Sequence, residues 1–180
     1  MEKLLDKDIR ESLFLYLEIR YGKARFFEEK TIGRSRADVM MVTDDAITGL
    51  EIKSDADSYT RLKSQIRDYN KFFDYNYVVI GKSHLKHIEE HIPNCEGDDG
   101  EVLFEVVKEA QKNPKRKMDM KMSFLWRREL QEISAECLKR KCVSLSKLKL
   151  RAKLIDSVDE EKLDLLVSRE LFDRDYTVYN

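Results

Sequence analysis

Proline and glycine are scarce in this chain, at 2 and 6 of its 180 residues. A composition so poor in both excludes linker-rich, collagen-like and disordered chains. Long hydrophobic runs are missing too, so no stretch approaches the roughly 20 apolar residues of a membrane helix. The amino terminus MEKLLDKDIR also lacks the apolar core of a signal peptide. We therefore expect a cytoplasmic protein without a membrane anchor and with a real hydrophobic core.

Cysteine pairs and the common cofactor motifs are missing as well. The 3 cysteines are odd in number and have no CxxC spacing, which argues against a disulfide framework or a zinc site. No GxGxxG or P-loop sequence supports a nucleotide cofactor, and no Ser/His/Asp arrangement can be argued. His84, His87 and His91 share one helical face and could bind a transition metal. A solvated helix is the more common reason for such spacing.

Charge, by contrast, is abundant and segregated. Residues 115–153 carry 13 Lys or Arg and 4 Asp or Glu, a local balance of +9, although the whole chain has a net charge of −1. The remainder is therefore acidic. A basic segment beside an acidic body is typical of a protein that grips a polyanion around a cation-binding centre. A solvated helical surface is the alternative interpretation.

The basic segment runs into two predicted helices, SLSKLKLRAKLID and EEKLDLLVSRELF, with Ser157 and Glu160 forming a capping box between them. The pair could be a helix-turn-helix reader of DNA whose phosphate contacts come from Lys147, Lys149, Arg151 and Lys153. Solvated surface helices are again the alternative. We interpret Trp126 with Leu125 as a packing anchor against the sheet, and a base-stacking platform is the alternative.

Hydrophobic periodicity predicts a helix from Asp6 to about Tyr21, followed by three strands, ARFFEE, RADVMMV and ITGLEIK. A helix over Ser58–Phe73, a buried strand YNYVVIG, a short helix in SHLKHIEEHI, a turn at EGDDG and a strand EVLFEVV come next. After Pro114 the pattern is helical and begins with one helix over MSFLWRRELQEISAECL. We predict an α/β core over residues 1–113, with a basic helical region over 114–180 packed on it or appended to it.

The two strands joined by TDDA carry an unusual set of charges. If the turn is centred between Asp44 and Asp45, paired residue numbers sum to 89 and Asp38 lies opposite Glu51. Alternation then places Lys53 on the same face, opposite Arg36. On that face Gly49 leaves open space beside the carboxylates, whereas the other face is mostly apolar.

Opposed carboxylates destabilise a sheet unless a cation, a proton or a strong donor lies between them. A divalent metal would resolve the repulsion between Asp38 and Glu51, and oxygen ligands suit Mg²⁺ or Mn²⁺. Lys53 beside such a metal could orient a water molecule or stabilise charge on a phosphate. In the alternative, a solvent-facing charge lattice, Lys53 and Arg36 simply neutralise the two carboxylates.

Together these residues resemble the PD-(D/E)XK nuclease superfamily. The order is Asp38, then Glu51-Ile52-Lys53 one hairpin later, then QIRDY on the next helix, which is similar to the Gln-x-x-x-Tyr element of its RecB-like branches. The stretch RADVMMVTDDAITGLEIKSDADSYTRLKSQIRDYNKFFDYNYVVIG and the later NP and LWRREL are similar to a small bacterial and phage branch, so the resemblance covers most of the chain. One departure is that RAD replaces the Pro-Asp pair, which leaves the carboxylate in place.

The resemblance implies a restriction-endonuclease-like fold, a mixed central sheet flanked by helices, with a C-terminal helical extension. It implies a metal-dependent nuclease acting on DNA with Mg²⁺ or Mn²⁺ as cofactor. A catalytically inactive nucleic-acid-binding or interaction module is the alternative, and a homodimer is possible. The implied catalytic residues are Asp38, Glu51, Lys53 and Gln65.

In the same resemblance Asp38 and Glu51 bind the metal, and Glu29 is the first choice for a further acidic ligand, with Glu11 as the alternative. Gln65 precedes Tyr69 by one helical turn, so both can border the site. Core packing is an equal explanation for Tyr69. The predicted substrate-binding residues are Arg36, Tyr69, Lys147 and Arg151.

Overall fold

A computed structural model of the chain describes residues 6–81, 95–98, 104–109 and 112–176. Its elements in chain order are α1 (Asp6–Tyr21), β1 (Arg25–Ile32), β2 (Ser35–Val42), β3 (Ile47–Lys53), α2 (Leu62–Phe72, preceded by a 3-10 turn at Tyr59–Arg61), β4 (Tyr75–Gly81), β5 (Cys95–Asp98), β6 (Phe104–Glu109), α3 (Met118–Met122), α4 (Arg127–Leu138), α5 (Lys147–Ser157) and α6 (Glu160–Phe172).

The strands form one mixed sheet in the order β1-β2-β3-β4-β6-β5. Strands β3 and β4 are parallel, as the intervening helix α2 requires, and the other neighbours are antiparallel. The predicted mixed α/β fold with C-terminal helices is therefore confirmed. Within the predicted turn EGDDG the structure places part of β5, and the predicted helix in SHLKHIEEHI, with its three histidines, lies outside the described residues.

Helices cover both faces of the sheet. On one face α1 buries Ile9, Leu13 and Leu17 against residues of β2, β3 and β4. On the other face α2 and the C-terminal helices share a single apolar cluster with the sheet, which runs from Ile32 and Met40 to Leu171. The basic C-terminal region is therefore packed on the core. None of the helices in the described part of the chain is long and apolar enough to cross a membrane.

The C-terminal region differs from prediction at two helix ends. The single helix expected over MSFLWRRELQEISAECL is wrong, because α3 ends at Met122 and α4 begins at Arg127. At the break the backbone of Trp126 is extended, and its N–H donates to the carboxylate of Glu129 at 2.5 Å. This hydrogen bond stabilises the start of α4. The predicted capping box is also wrong: Asp159 caps α6 by accepting from the N–H of Lys162 at 3.1 Å, because Val158 is already extended.

A buried ionic cluster joins the sheet to the C-terminal helices. Asp74, before β4, lies 2.6 Å from the ammonium of Lys121 on α3 and 2.9 Å from the guanidinium of Arg116. Lys121 also contacts Asp164 of α6 at 2.6 Å, and both Lys121 and Asp74 are fully buried. Asp74 accepts in addition from the N–H of Ile47 at 2.8 Å. One cluster therefore anchors α3 and α6 on the strands that carry the candidate site.

Candidate active site

The hairpin of β2 and β3 has the predicted register. Val39 pairs with Leu50, Met40 with Gly49 and Val42 with Ile47, so that each pair sums to 89. The regular pairing ends one step before Asp38 and Glu51. There the side chain of Asp38 continues the ladder, because its Oδ2 accepts from the N–H of Ile52 at 2.8 Å. The carboxylate of Asp38 is thereby fixed beside the strand that carries Glu51.

The pairing of β1 with β2 is interrupted at the same level. Glu28 pairs with Val39 and Lys30 with Ala37, but Glu29 between them has a positive φ of 54°. The backbone of Asp38 is bound by side chains instead: its N–H donates to the hydroxyl of Tyr69 at 3.2 Å, and its carbonyl accepts from Arg10 at 3.2 Å. A local break in the sheet thus frees Asp38 from the ladder and orients it.

Glu51 is the centre of a buried hydrogen-bonded cluster. Its Oε1 accepts from the ammonium of Lys53 at 2.7 Å and from the side-chain amide of Gln65. Its Oε2 accepts from the Tyr69 hydroxyl at 2.7 Å, and Lys53 also donates to Oε1 of Gln65 at 3.2 Å. Glu51 is 1% and Lys53 5% exposed, so the two charges do not form a solvent-facing lattice. Glu51, Lys53, Gln65 and Tyr69 are called the Glu51 cluster below.

Asp38 is electrostatically coupled to this cluster. Burial, and next the negative charge of Glu51, raise the pKa of Asp38 to about 7. The N–H of Ile52 and the positive charges of Lys53 and Arg10 act in the opposite direction. Burial and the same two carboxylates hold the pKa of Tyr69 well above its ordinary value, so Tyr69 is a neutral donor to Glu51. The two acidic side chains, Asp38 and Glu51, therefore share a site in which Lys53 is, for the described stretches of the chain, the one buried cation that contacts Glu51.

The donor chemistry of this pair suits a hard divalent cation. Oδ1 of Asp38 accepts no hydrogen bond from any residue that the structure describes, and Glu51 adds a second carboxylate. Across the described ranges no three His, Cys, Asp or Glu side chains come together as a metal site. The protein would therefore supply two carboxylates and leave the other positions to water or phosphate, as Mg²⁺ sites commonly do.

Gly49 has a different role from the one predicted. A Cβ at this position would lie 2.7 Å from Cδ1 of Tyr69 and closer still to the ring of Phe73. The prediction of open space is therefore wrong, because α2 packs directly on this glycine. The close approach brings Tyr69 within hydrogen-bond distance of Glu51 and Asp38. Gly49 thus positions the helix that completes the cluster.

The structure does not bring the other predicted residues into the Glu51 cluster. Glu29 forms ion pairs with Arg10 and Arg36, and Glu11 is exposed on α1. Arg36 does not face Lys53, because the β2–β3 pairing ends at Val39 and the Arg36 side chain is 65% exposed. On α5, Lys147 donates to the carbonyl of Ser123 at 2.8 Å and Arg151 pairs with Asp119 at 2.9 Å.

Arg10 is a positioning residue that the sequence pattern did not reveal. From α1 its guanidinium contacts Glu28 and Glu29 at 3.0 Å and the carbonyl of Asp38 at 3.2 Å. It also pairs with Asp6 at 2.8 Å within the helix. Arg10 therefore holds the interrupted part of the sheet from the face opposite α2. An isolated arginine in an amphipathic helix has no sequence signal that distinguishes it from a solvated one.

Asp38→Asn is expected to stabilise the metal-free protein at high pH. The pKa of Asp38 is raised from 3.8 to about 7, so its contribution to stability is present below about pH 4 and is lost as the pH rises through 7. Asparagine keeps the shape and the acceptor for Ile52 but carries no charge. The variant should gain up to about 4 kcal/mol at pH 8, since one pKa unit corresponds to about 1.4 kcal/mol, and little at pH 4.

The measurement is the free energy of unfolding in urea, with EDTA, at several pH values. Asp44→Asn is the matched control, because Asp44 lies exposed in the turn of the same hairpin. A difference between wild type and Asp38→Asn that is the same at pH 4 and pH 8 would contradict the raised pKa of Asp38.

Comparisons with known proteins identify a family but no activity. A family model described as bacteriophage P4 protein cII matches residues 2–176 of the chain. No curated protein and no solved structure matches the chain. The family description names no reaction, so any assignment of chemistry depends on the site itself.

Proposed function

The chain belongs to the family of bacteriophage P4 protein cII, and for this member we propose the function of a metal-dependent nuclease that hydrolyses phosphodiester bonds in DNA. The observation that carries the proposal is the burial of Lys53 against Glu51 and Gln65 beside the carboxylate of Asp38. The described residues of the site include two carboxylates and only one ammonium. The carboxylates suit a cation, and the ammonium suits a phosphate. The cytoplasmic location and a homodimer stay predictions from the sequence.

Asp38 and Glu51 are the residues that would hold the metal. Mg²⁺ or Mn²⁺ bound there supplies Lewis-acid polarisation of the phosphate and a more acidic water. Its charge would also favour ionised Asp38, whose pKa is otherwise raised by burial and by Glu51. Glu29 is neutralised by Arg10 and Arg36, so two protein carboxylates are the proposed ligands.

Lys53 has the most direct catalytic role in this proposal. Its ammonium has three N–H donors, of which one is directed to Glu51 and one to Gln65, so one is left for a phosphate oxygen. As water adds to phosphorus and the bond to the leaving oxygen breaks, negative charge grows on the phosphoryl oxygens. A preformed ammonium in a buried site stabilises that charge more strongly than water does.

Gln65 and Tyr69 orient these groups. Gln65 donates to Glu51 and accepts from Lys53, so it fixes both side chains at once. Tyr69 donates to Glu51 and accepts from the backbone N–H of Asp38. It thereby links β2 and β3, the strands that carry the two carboxylates. Tyr69 is completely buried, so in this proposal it acts as a positioning residue and does not touch substrate.

The proposal is tested by incubating the purified chain with end-labelled linear duplex, circular duplex, branched and single-stranded DNA. Each substrate is assayed with Mg²⁺, with Mn²⁺ and with EDTA. We expect cleavage of at least one DNA form that requires the metal. No metal-dependent cleavage of any of the four forms would overturn the assignment as an enzyme.

An inactive nucleic-acid-binding module is the second candidate function. It is favoured by the saturation of Glu51, which already accepts from Lys53, Gln65 and Tyr69, and by the lack of a third acidic ligand among the residues described. Such a module would bind DNA with strong salt dependence and cleave it with neither metal. The same substrate panel therefore separates the two candidates.

A further inference from the structure

A second feature of α2 lies on the flank away from the Glu51 cluster. An open groove of about 660 Å³ runs between this helix and the segment leading into α3. Its cationic lining consists of Lys63, Arg67 and Lys71 from the helix and Lys115 and Lys117 from the segment. We call it the α2 groove.

The two walls of the α2 groove are joined by hydrogen bonds. The N–H of Lys117 donates to the carbonyl of Lys71 at 3.0 Å, and the amide of Asn113 donates to the carbonyl of Asn70 at 2.9 Å. Between Lys115 and Lys117, Arg116 turns inward to the buried carboxylate of Asp74. The inward turn of Arg116 leaves its two lysine neighbours exposed on the groove side.

The charge of the α2 groove is largely uncompensated. Among the described residues, its lining contains five cations and no carboxylate. Lys71 pairs with Asp68 at 2.8 Å, but Lys63, Lys115 and Lys117 form no ion pair with any residue for which coordinates are described. Lys63, Arg67 and Lys71 follow one another at four-residue spacing, where like charges destabilise an isolated helix. A concave surface with one sign of charge concentrates a polyanion.

The groove and the candidate site occupy opposite flanks of one helix. At 100° per residue, Lys63 and Arg67 point away from Gln65 and Tyr69, and an α-helix with its side chains is about 10–12 Å across. We propose that the α2 groove binds a phosphate backbone of duplex DNA, one helix diameter away from the candidate site.

The lining favours a duplex over a single strand. Proteins that bind single strands combine a basic groove with aromatic side chains on which the bases stack. Besides the aliphatic parts of the five cations, the lining that the structure describes consists of Thr60, Ser64, Ile66 and Asn70, without an aromatic ring. Phosphates are therefore the part of the ligand that it can recognise, and the binding should be independent of sequence. This inference rests on the proposed function for its choice of DNA as the polyanion.

The test is the salt dependence of DNA binding, measured by fluorescence anisotropy with a labelled 30-base-pair duplex in EDTA, which prevents metal-dependent cleavage. Wild type is compared with Lys63→Ala/Arg67→Ala between 50 and 200 mM salt. Each phosphate contact contributes about −0.9 to the slope of log K against log salt, so the slope should become less steep by about 2. The single strand of the same sequence should bind more weakly than the duplex.

Lys139→Ala/Arg140→Ala is the matched control, since it also removes one exposed lysine and one exposed arginine, at the end of α4. Its slope should equal that of wild type. An unchanged slope in the groove variant, equal losses in both variants, no duplex binding by wild type, or tighter binding of the single strand would each overturn the α2 groove proposal. Binding through the groove without metal-dependent cleavage would instead overturn only the nuclease assignment.

Discussion

Lys53→Met is expected to reduce metal-dependent DNA cleavage by about 100- to 1,000-fold. Loss of one preorganised donor to a developing oxyanion typically has an effect of this size. Methionine keeps the apolar stem in a position that is only 5% exposed, but it removes the ammonium that contacts Glu51 and Gln65. The measurement is the initial rate of cleavage of the duplex in Mg²⁺ and in Mn²⁺, with DNA binding followed separately in EDTA.

Loss of Lys53 also leaves Glu51 buried without its ion-pair partner, so the fold needs its own control. Glu51→Gln/Lys53→Met replaces both charges by neutral groups of similar size and should fold and bind DNA, yet not cleave it. Lys141→Met removes the lysine of an exposed pair with Glu132 and should cleave like wild type. Wild-type rates in the folded double variant would refute a catalytic role for this pair.

Lys121→Met is expected to lower the free energy of unfolding by about 3–5 kcal/mol, the usual result of removing one partner from a buried ion pair. Lys121 is fully buried and contacts both Asp74 and Asp164 at 2.6 Å. The expected decrease of the melting temperature is about 10 °C, because 1 kcal/mol corresponds to about 2–4 °C in a chain of this size. Urea unfolding and thermal melting both measure the effect.

A compensating variant separates the charge imbalance from lost packing. Lys121→Met/Asp164→Asn removes one charge of each sign and should recover a large part of the lost stability. Lys141→Met, at an exposed pair, should change the free energy of unfolding by less than about 1 kcal/mol. If Lys121→Met alone is as stable as wild type, the Asp74–Lys121–Asp164 cluster does not hold the C-terminal helices on the sheet.

Local pattern predicted the hairpin of the candidate site well. The symmetric turn TDDA determines the register, and strand alternation then places Asp38, Glu51 and Lys53 together. The spacing of Gln65 and Tyr69 on one helical face is equally local. These features depend on residues close in sequence, so the order of residues is enough to predict them.

Long-range partners explain the features that the sequence did not predict. The rings of Phe73 and Tyr69 pack directly on Gly49 and leave no room for a side chain there. No rule of strand or turn composition predicts that α2 packs at this position. Lys121 lies in the basic segment, and its burial has no local signal because its ion-pair partners lie more than 40 residues away in sequence. The exposed and the buried members of that segment differ only in tertiary contacts.

Binding of Mn²⁺, followed by electron paramagnetic resonance as the free ion disappears, tests most directly whether Asp38 and Glu51 form one metal site. We expect Mn²⁺ binding by wild type and its loss in both Asp38→Asn and Glu51→Gln, whereas Asp44→Asn on the same hairpin should bind Mn²⁺ like wild type. Equal Mn²⁺ binding by all four proteins, or no binding by wild type at pH 8, would contradict a metal site formed by Asp38 and Glu51.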